Sequence, residues 1–215
     1  MRALIVSIVL VVAAKSWAGA CPSSPKALLD VAAAAFPAEQ RTFVDHAIPL
    51  EAEQLHCHEI HGHAKLALVT FNADDGIVIG ALVSGDQVVW NDGRGVEDCT
   101  PCVTDRSFSL ADLDGDGRDE LLVRAQKAGH MSTGSEWLEV WVLADDAPVD
   151  AGTIVLDYWA SNQGSEGGVS LDYACSSSQR IAAGRIVVVE RCTGARASER
   201  YRDVYVLADG KLVKQ

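Results

Sequence analysis

The chain has 215 residues, of which 48% are hydrophobic and 22% are charged, and its formal net charge is −12 at neutral pH. An acidic surface repels phosphate backbones and anionic lipid headgroups, so the charge argues against nucleic acid and anionic membranes as partners. A chain of this length can bury a substantial core as one domain.

Residues 1–20 have the pattern of a secretory signal peptide. Arg2 gives a charged start, an apolar run extends from Ala3 to Ala14, and Ala18-Gly19-Ala20 offers a small-residue cleavage site. The run is too short for a transmembrane helix, and Lys15 interrupts it. The sequence therefore predicts a secreted or periplasmic protein without a transmembrane span. A lipid anchor on Cys21 is the alternative, which Ala18 disfavours because leucine is usual at that position.

Residues 21–54 are predicted to form an N-terminal helical segment. Ser24 before Pro25 is typical of a helix start, and an alanine-rich run follows as far as Phe36. Pro37 ends this helix. A second, weaker helical turn is predicted within residues 38–47.

Residues 55–215 are predicted to form a β domain. Apolar stretches separated by glycine and aspartate turns predict strands over residues 65–71, 76–83, 87–90, 107–110, 121–123, 137–144, 153–159, 169–175 and 185–192. Residues 139–146 resemble residues 203–210, which indicates recurring strand-and-turn units. The predicted fold is therefore mainly β, with antiparallel meanders in a partial propeller-like or sandwich arrangement and a short N-terminal helix.

The most specific motif of the chain lies between Ala111 and Val123. Four acids alternate around two glycines, and they are Asp112, Asp114, Asp116 and Glu120. Hard divalent cations take oxygen ligands from tightly curled loops, and Gly117 stands where such a loop must turn with a positive φ. The spacing predicts a calcium loop over residues 112–120, and a solvated acidic turn is the alternative.

The surroundings of this loop indicate which kind of calcium loop it is. An EF-hand requires a glutamate at its twelfth position, where this chain has Val123, and the flanking residues favour strands over helices. The stretch resembles the calcium loops of FG-GAP and VCBS-type repeats, the family that includes the integrin α-chain propeller blades. The match covers about fifteen residues and lacks the upstream F-G and G-A-P signatures, so it implies one copy of the repeat and no whole propeller.

The resemblance also implies a set of ligands for calcium as cofactor. The side chains of Asp112, Asp114 and Asp116 and the main-chain carbonyl of Arg118 would bind the ion. Glu120 stands where the family usually has aspartate, and it would reach the ion directly or through a water molecule.

Four of the six histidines fall within one short stretch, and they are His56, His58, His61 and His63. On a strand the first two share a face, and so do the last two if the strand continues past Gly62. Such pairs can bind zinc, copper or nickel. An exported metalloenzyme that uses this cluster is therefore the alternative function, although the H-E-x-x-H motif is absent and an exposed polar strand is the simpler interpretation.

Six cysteines in an exported protein predict disulfides. The preferred pairs are Cys175–Cys192, Cys99–Cys102 and Cys21–Cys57. Only the first pair has separate support, because its cysteines flank a predicted hairpin. Cys99 and Cys102 also have the spacing of a thiol-redox motif, but a strand follows them instead of the helix that would activate a thiol.

The sequence predicts an exported, calcium-binding, disulfide-stabilised β protein that acts as a binding or structural module and not as an enzyme. An envelope inhibitor and an adhesion-type protein both fit this description. The expected partner is another protein or a cell-envelope component.

Overall fold

The computed structural model describes residues 20–43, 46–72, 78–92, 103–128, 133–144, 147–160, 173–182 and 184–215. The predicted signal peptide up to residue 19 and the predicted pair Cys99–Cys102 lie outside these residues. Within the described part of the chain, no helix is long and apolar enough to cross a membrane.

The helix α1 spans Pro25–Ala35 and follows the predicted start and end. The hydroxyl of Ser24 accepts a hydrogen bond from the N–H of Ala27 at 3.2 Å, and this caps the first turn. A short 3-10 turn at Ala38–Arg41 follows, and two short paired strands, β1 (Thr42–Phe43) and β2 (His46–Ala47), come next. Among its described residues, the predicted second helical turn over residues 38–47 is thus helical only at its beginning.

The first large sheet is a four-stranded antiparallel meander in sequence order. Its strands are β3 (Leu55–Glu59), β4 (Ala67–Asn72), β5 (Val78–Ser84) and β6 (Gln87–Asn91). Nearly every residue of β4 and β5 is buried, because α1 covers one face of this sheet and the second sheet covers the other. Strands covered on both faces have continuous apolar runs, so the loose alternation expected for residues 65–71 does not correspond to one exposed face.

The second large sheet is an eight-stranded antiparallel meander whose hydrogen-bonded neighbours again follow sequence order. Its strands are β7 (Val103–Ala111), β8 (Glu120–Ala128), β9 (Thr133–Leu143), β10 (Pro148–Ala160), β11 (Tyr173–Ala182), β12 (Arg185–Cys192), β13 (Arg200–Ala208) and β14 (Lys211–Lys214). The similar stretches that start at residues 139 and 203 lie on β9 and β13. Both lead into antiparallel hairpins.

Three apolar clusters hold these layers together. The first lies between α1 and the first sheet, where the rings of Phe36 and Phe71 are 6.1 Å apart. The second joins the two sheets and includes Leu82 and Leu121. The third lies on the far face of the second sheet, where Leu212 of β14 packs over β10. The predicted mainly β, antiparallel fold is confirmed, with the two meanders packed face to face, and residues 21–54 share the core of the first sheet.

Two of the predicted disulfides are present. Cys175 and Cys192 are direct partners on β11 and β12, at the end away from the hairpin turn, with Cα atoms 4.0 Å apart. Cys21 is bonded to Cys57, and this bond ties the residues before α1 to β3. Both pairings are confirmed.

Candidate metal centre

The acidic loop connects β7 to β8 at the edge of the second sheet. Ala111 and Glu120 are the last paired residues of the two strands, so residues 112–119 form the hairpin connection. The predicted strand–loop–strand arrangement is therefore present.

Three aspartates converge inside this loop. One carboxylate oxygen from each of Asp112, Asp114 and Asp116 lies within 4.8 Å of the others. The curl that brings them together uses positive φ angles of 81° at Gly115 and 87° at Gly117, which glycine adopts without a steric penalty.

Backbone N–H groups hold the three carboxylates in place. Asp112 accepts hydrogen bonds from Gly115 at 2.7 Å and from Gly117 at 3.1 Å. Asp114 accepts from the N–H of Asp116 at 3.1 Å, and Asp116 accepts from the N–H of Arg118 at 2.8 Å. These bonds orient the carboxylates and offset part of their mutual repulsion.

The spacing and the chemistry of these oxygens fit calcium. Calcium binds oxygen at about 2.3–2.6 Å, so two oxygens on one ion are at most about 5 Å apart. The three aspartates meet this limit, and carboxylate oxygen is the ligand type that a hard cation prefers.

Glu120 differs from the three aspartates. Its side chain is buried, with 3% of the residue exposed, and Oε2 accepts a hydrogen bond from the N–H of Leu113 at 2.7 Å. Burial raises the pKa of Glu120 to about 7, the Leu113 N–H opposes that rise, and the nearby aspartates add to it. Glu120 is not part of the converging group, and its hydrogen bond to Leu113 closes the base of the loop. That Glu120 also reaches a cation, directly or through a water molecule, stays a prediction.

Arg118 lies at the other predicted ligand position. Its side chain is partly buried and contacts other parts of the protein. Its guanidinium Nη2 is 3.3 Å from Nδ1 of His63 and 3.5 Å from the carbonyl oxygen of Leu143. The side chain therefore contacts both sheets. That its main-chain carbonyl binds a cation stays a prediction.

The loop is fastened to the first sheet through the β3–β4 connection. The N–H of Asp119 donates to the carbonyl of His61 at 3.0 Å, and the carboxylate of Asp119 accepts from the N–H of His61 at 3.1 Å. Beside this pair, Gly62 packs so closely that an added Cβ would lie 2.7 Å from Cα of Arg118. Asp119 is only partly exposed, because these contacts dock the loop on a segment that is distant in sequence.

The opposite side of the loop touches the second sheet. Leu113 is 2% exposed and belongs to the far-face apolar cluster. Its carbonyl oxygen would lie 3.1 Å from a Cβ added to Gly184 in the β11–β12 turn. The loop therefore contacts two connections, one from each sheet.

We expect Gly62→Ala to destabilise the protein by about 2–3 kcal/mol, because alanine at φ +78° is strained and its methyl group would overlap the backbone of the loop. The matched control is Gly85→Ala, where φ is +63° and nothing lies within 4 Å of the added Cβ. Strain alone should cost about 1 kcal/mol there. Urea denaturation of both variants measures the difference, and equal losses would mean that Gly62 does not seat the loop.

The histidine stretch does not form one cluster. His56 and His58 share an exposed face of β3, as predicted, with ring centroids 6.4 Å apart. The chain turns at Gly62 with φ +78°, so the strand does not continue to His63, and the condition for His61 and His63 to share a strand face is not met. His61 is exposed, whereas His63 is 6% exposed and contacts Arg118.

Among the described residues, two groups offer three or more potential ligands close together. One is the aspartate triplet, and the other is Cys175, Glu190 and Cys192, whose two cysteines form a disulfide. The four histidines do not form such a group.

Comparisons with protein-family models, with curated proteins and with solved structures find no match to this chain. Its chemistry must therefore be argued from its own residues.

The sequence pattern does not predict the contacts among Asp119, His61 and Gly62. The glycine between two histidines is the one local signal, and it indicates a turn.

Proposed function

We propose that this protein is an exported, calcium-binding, disulfide-stabilised β protein that acts as a binding or structural module without catalysis. The observation that supports calcium is the convergence of the Asp112, Asp114 and Asp116 carboxylates within 4.8 Å. The two disulfides support export, because such bonds persist in oxidising compartments.

The position of the loop supports a structural role for a bound cation. Bound calcium would supply positive charge that neutralises three neighbouring carboxylates. The loop itself contacts the β3–β4 connection through Asp119 and the β11–β12 turn through Leu113. Ordering the loop would therefore stabilise its contacts with one connection from each sheet.

We expect added calcium to raise the Tm of the wild-type protein and EDTA to lower it. A cation that binds only the folded state adds about 1.4 kcal/mol at a tenfold excess over Kd. Asp114→Ala should abolish this calcium-dependent part, because it removes one of the three converging carboxylates. Magnesium should substitute poorly, since it requires a tighter octahedron. Differential scanning calorimetry in calcium, magnesium and EDTA gives the measurement.

Asp119→Ala is the matched control within the same loop. It removes the hydrogen bond to His61 and should cost about 1 kcal/mol with or without calcium, while the calcium-dependent increment remains. If the wild-type Tm is the same in EDTA and in calcium, the calcium proposal fails and the loop is an acidic turn held by backbone hydrogen bonds.

A further inference from the structure

Two exposed histidines lie side by side on β3, which is an edge strand of the first sheet. His56 and His58 point to the same face of the strand, because side chains two residues apart do so in β structure. Their cross-strand partners on β4 are Thr70 and Leu68. The two ring centroids are 6.4 Å apart, and the ring planes are inclined at 34°. The pair therefore presents two neighbouring imidazoles to solvent.

The fold does not use either imidazole for a polar contact. Within the described part of the chain, neither His56 nor His58 takes part in a side-chain hydrogen bond or an ion pair. His63 differs, because it is buried and contacts Arg118. Imidazole nitrogens without a protein partner are available to a ligand from solution.

The backbone that carries the two histidines is held in place. Cys57 lies between them and is bonded to Cys21, and β3 pairs with β4 at every position over Leu55–Glu59. The spacing of the two imidazoles is thus set before a ligand arrives, so less conformational entropy is lost on binding. Because both rings are exposed, they can turn to place one nitrogen each at the 2.0–2.1 Å, roughly, that an imidazole–metal bond requires.

The chemistry of this pair differs from that of the aspartate loop. Calcium and magnesium prefer oxygen ligands, whereas imidazole nitrogen suits zinc, nickel and copper. Along the series of first-row divalent ions, affinity for a nitrogen site is highest at copper(II). Copper(II) also prefers a tetragonal arrangement, in which two nitrogens can occupy adjacent corners.

We propose that His56 and His58 form an exchangeable binding site for a divalent transition-metal ion, with copper(II) as the preferred ion. Structural metal sites surround the ion with four protein ligands, whereas this pair supplies two and leaves the other positions open to water. The ion can therefore enter and leave from solution. The net charge of −12 raises the concentration of cations near the surface. This site is separate from the proposed calcium function and goes beyond it.

The other two histidines of the stretch do not complete a catalytic centre. Strand β3 ends at Glu59 and the chain turns at Gly62, so His61 and His63 do not continue the face that carries the pair. A catalytic zinc site holds the ion with three protein ligands. Among the described residues, the groups of three or more potential ligands contain no histidine. The pair is therefore suited to binding an ion and not to metal-assisted hydrolysis.

The test is titration of the full chain with copper(II), without a histidine tag and in excess calcium, which competes for carboxylate oxygens and not for imidazole. Isothermal calorimetry gives the affinity, and electron paramagnetic resonance counts the nitrogen ligands of the bound copper. We expect one ion per chain with two nitrogen ligands, and weaker binding of nickel and zinc. His56→Gln and His58→Gln should each weaken copper binding about a hundredfold, because a second tethered ligand binds intramolecularly.

The matched control is His61→Gln, which removes an exposed imidazole from the same stretch and keeps the main-chain hydrogen bonds to Asp119. It should leave the copper affinity unchanged. All three side chains are exposed, so the variants should unfold at the same urea concentration as the wild type. Equal weakening by His61→Gln, or copper with a single nitrogen ligand, would overturn the proposal in favour of scattered surface imidazoles. Unchanged affinity in both His56→Gln and His58→Gln would overturn it as well.

A last comparison separates this site from the calcium loop. Asp114→Ala should leave the copper affinity unchanged, and His56→Gln should keep the calcium-dependent rise in Tm. Loss of copper binding in Asp114→Ala would assign the copper to the aspartate loop and overturn this proposal. A Tm that does not respond to calcium, together with intact copper binding at the histidines, would refute the calcium proposal alone and support this one.

Discussion

Replacing Asp92 with alanine should lower the free energy of unfolding by about 3–5 kcal/mol, because it removes the carboxylate from a buried ion pair. Oδ2 of Asp92 lies 2.8 Å from Nη1 of Arg106, and the two side chains are 1% and 0% exposed. Breaking such a pair from one side leaves a guanidinium that water cannot solvate. The pair also joins the end of β6 to β7, so its loss should loosen the contact between the sheets.

The chain offers a control with the same chemistry at the surface. Lys26 and Asp30 form a pair at 2.6 Å on α1, with side chains 83% and 63% exposed. Water screens an exposed pair, so Asp30→Ala should change stability by less than about 1 kcal/mol. Urea denaturation of both variants at one salt concentration compares them. If Asp92→Ala costs no more than Asp30→Ala, the Asp92 carboxylate is not needed to compensate the Arg106 charge.

The contrast between these two pairs shows what sequence patterns can reveal. The Lys26–Asp30 pair follows from spacing along one helix, since residues four apart are neighbours. The Asp92–Arg106 pair joins two sheets, and no local period encodes it. In the same way, Ser24 and Pro25 specify where α1 begins, because capping is a local interaction. That β7 to β14 form one sheet of eight strands depends on contacts between hairpins, which the strand patterns leave open.

The candidate metal site also has some features that the local sequence pattern predicts and others that depend on tertiary contacts. The alternation of Asp112, Asp114 and Asp116 with two glycines is a local code for a curled loop, and the three carboxylates do converge. Glu120 continues that alternation, yet burial and the N–H of Leu113 place it at the base of the loop. Asp119 breaks the alternation, yet it binds His61 from another connection. The position of Glu120 is set by a partner within the same loop, whereas the position of Asp119 is set by a segment that is distant in sequence.

The final expected result concerns the disulfide between Cys21 and Cys57. Replacing both cysteines with serine should lower the free energy of unfolding by about 4 kcal/mol, because the bond closes a loop with a sequence separation of 36 and restricts the unfolded chain. Cys21 and Cys57 also border the apolar cluster under α1, so the residues before the helix should detach more easily.

The comparison pair is Cys175 and Cys192, whose sequence separation is 17 and whose removal should cost about 3 kcal/mol by the same argument. Denaturation of the oxidised wild type and of each double serine variant shows which disulfide contributes more to stability. In a reducing agent, the free energies of unfolding of all three proteins should be similar. A smaller loss for the Cys21–Cys57 variant would mean that loop entropy does not dominate. In that case the helix α1 would be held on the first sheet mainly by its apolar contacts, among them the packing of Phe36 against Phe71.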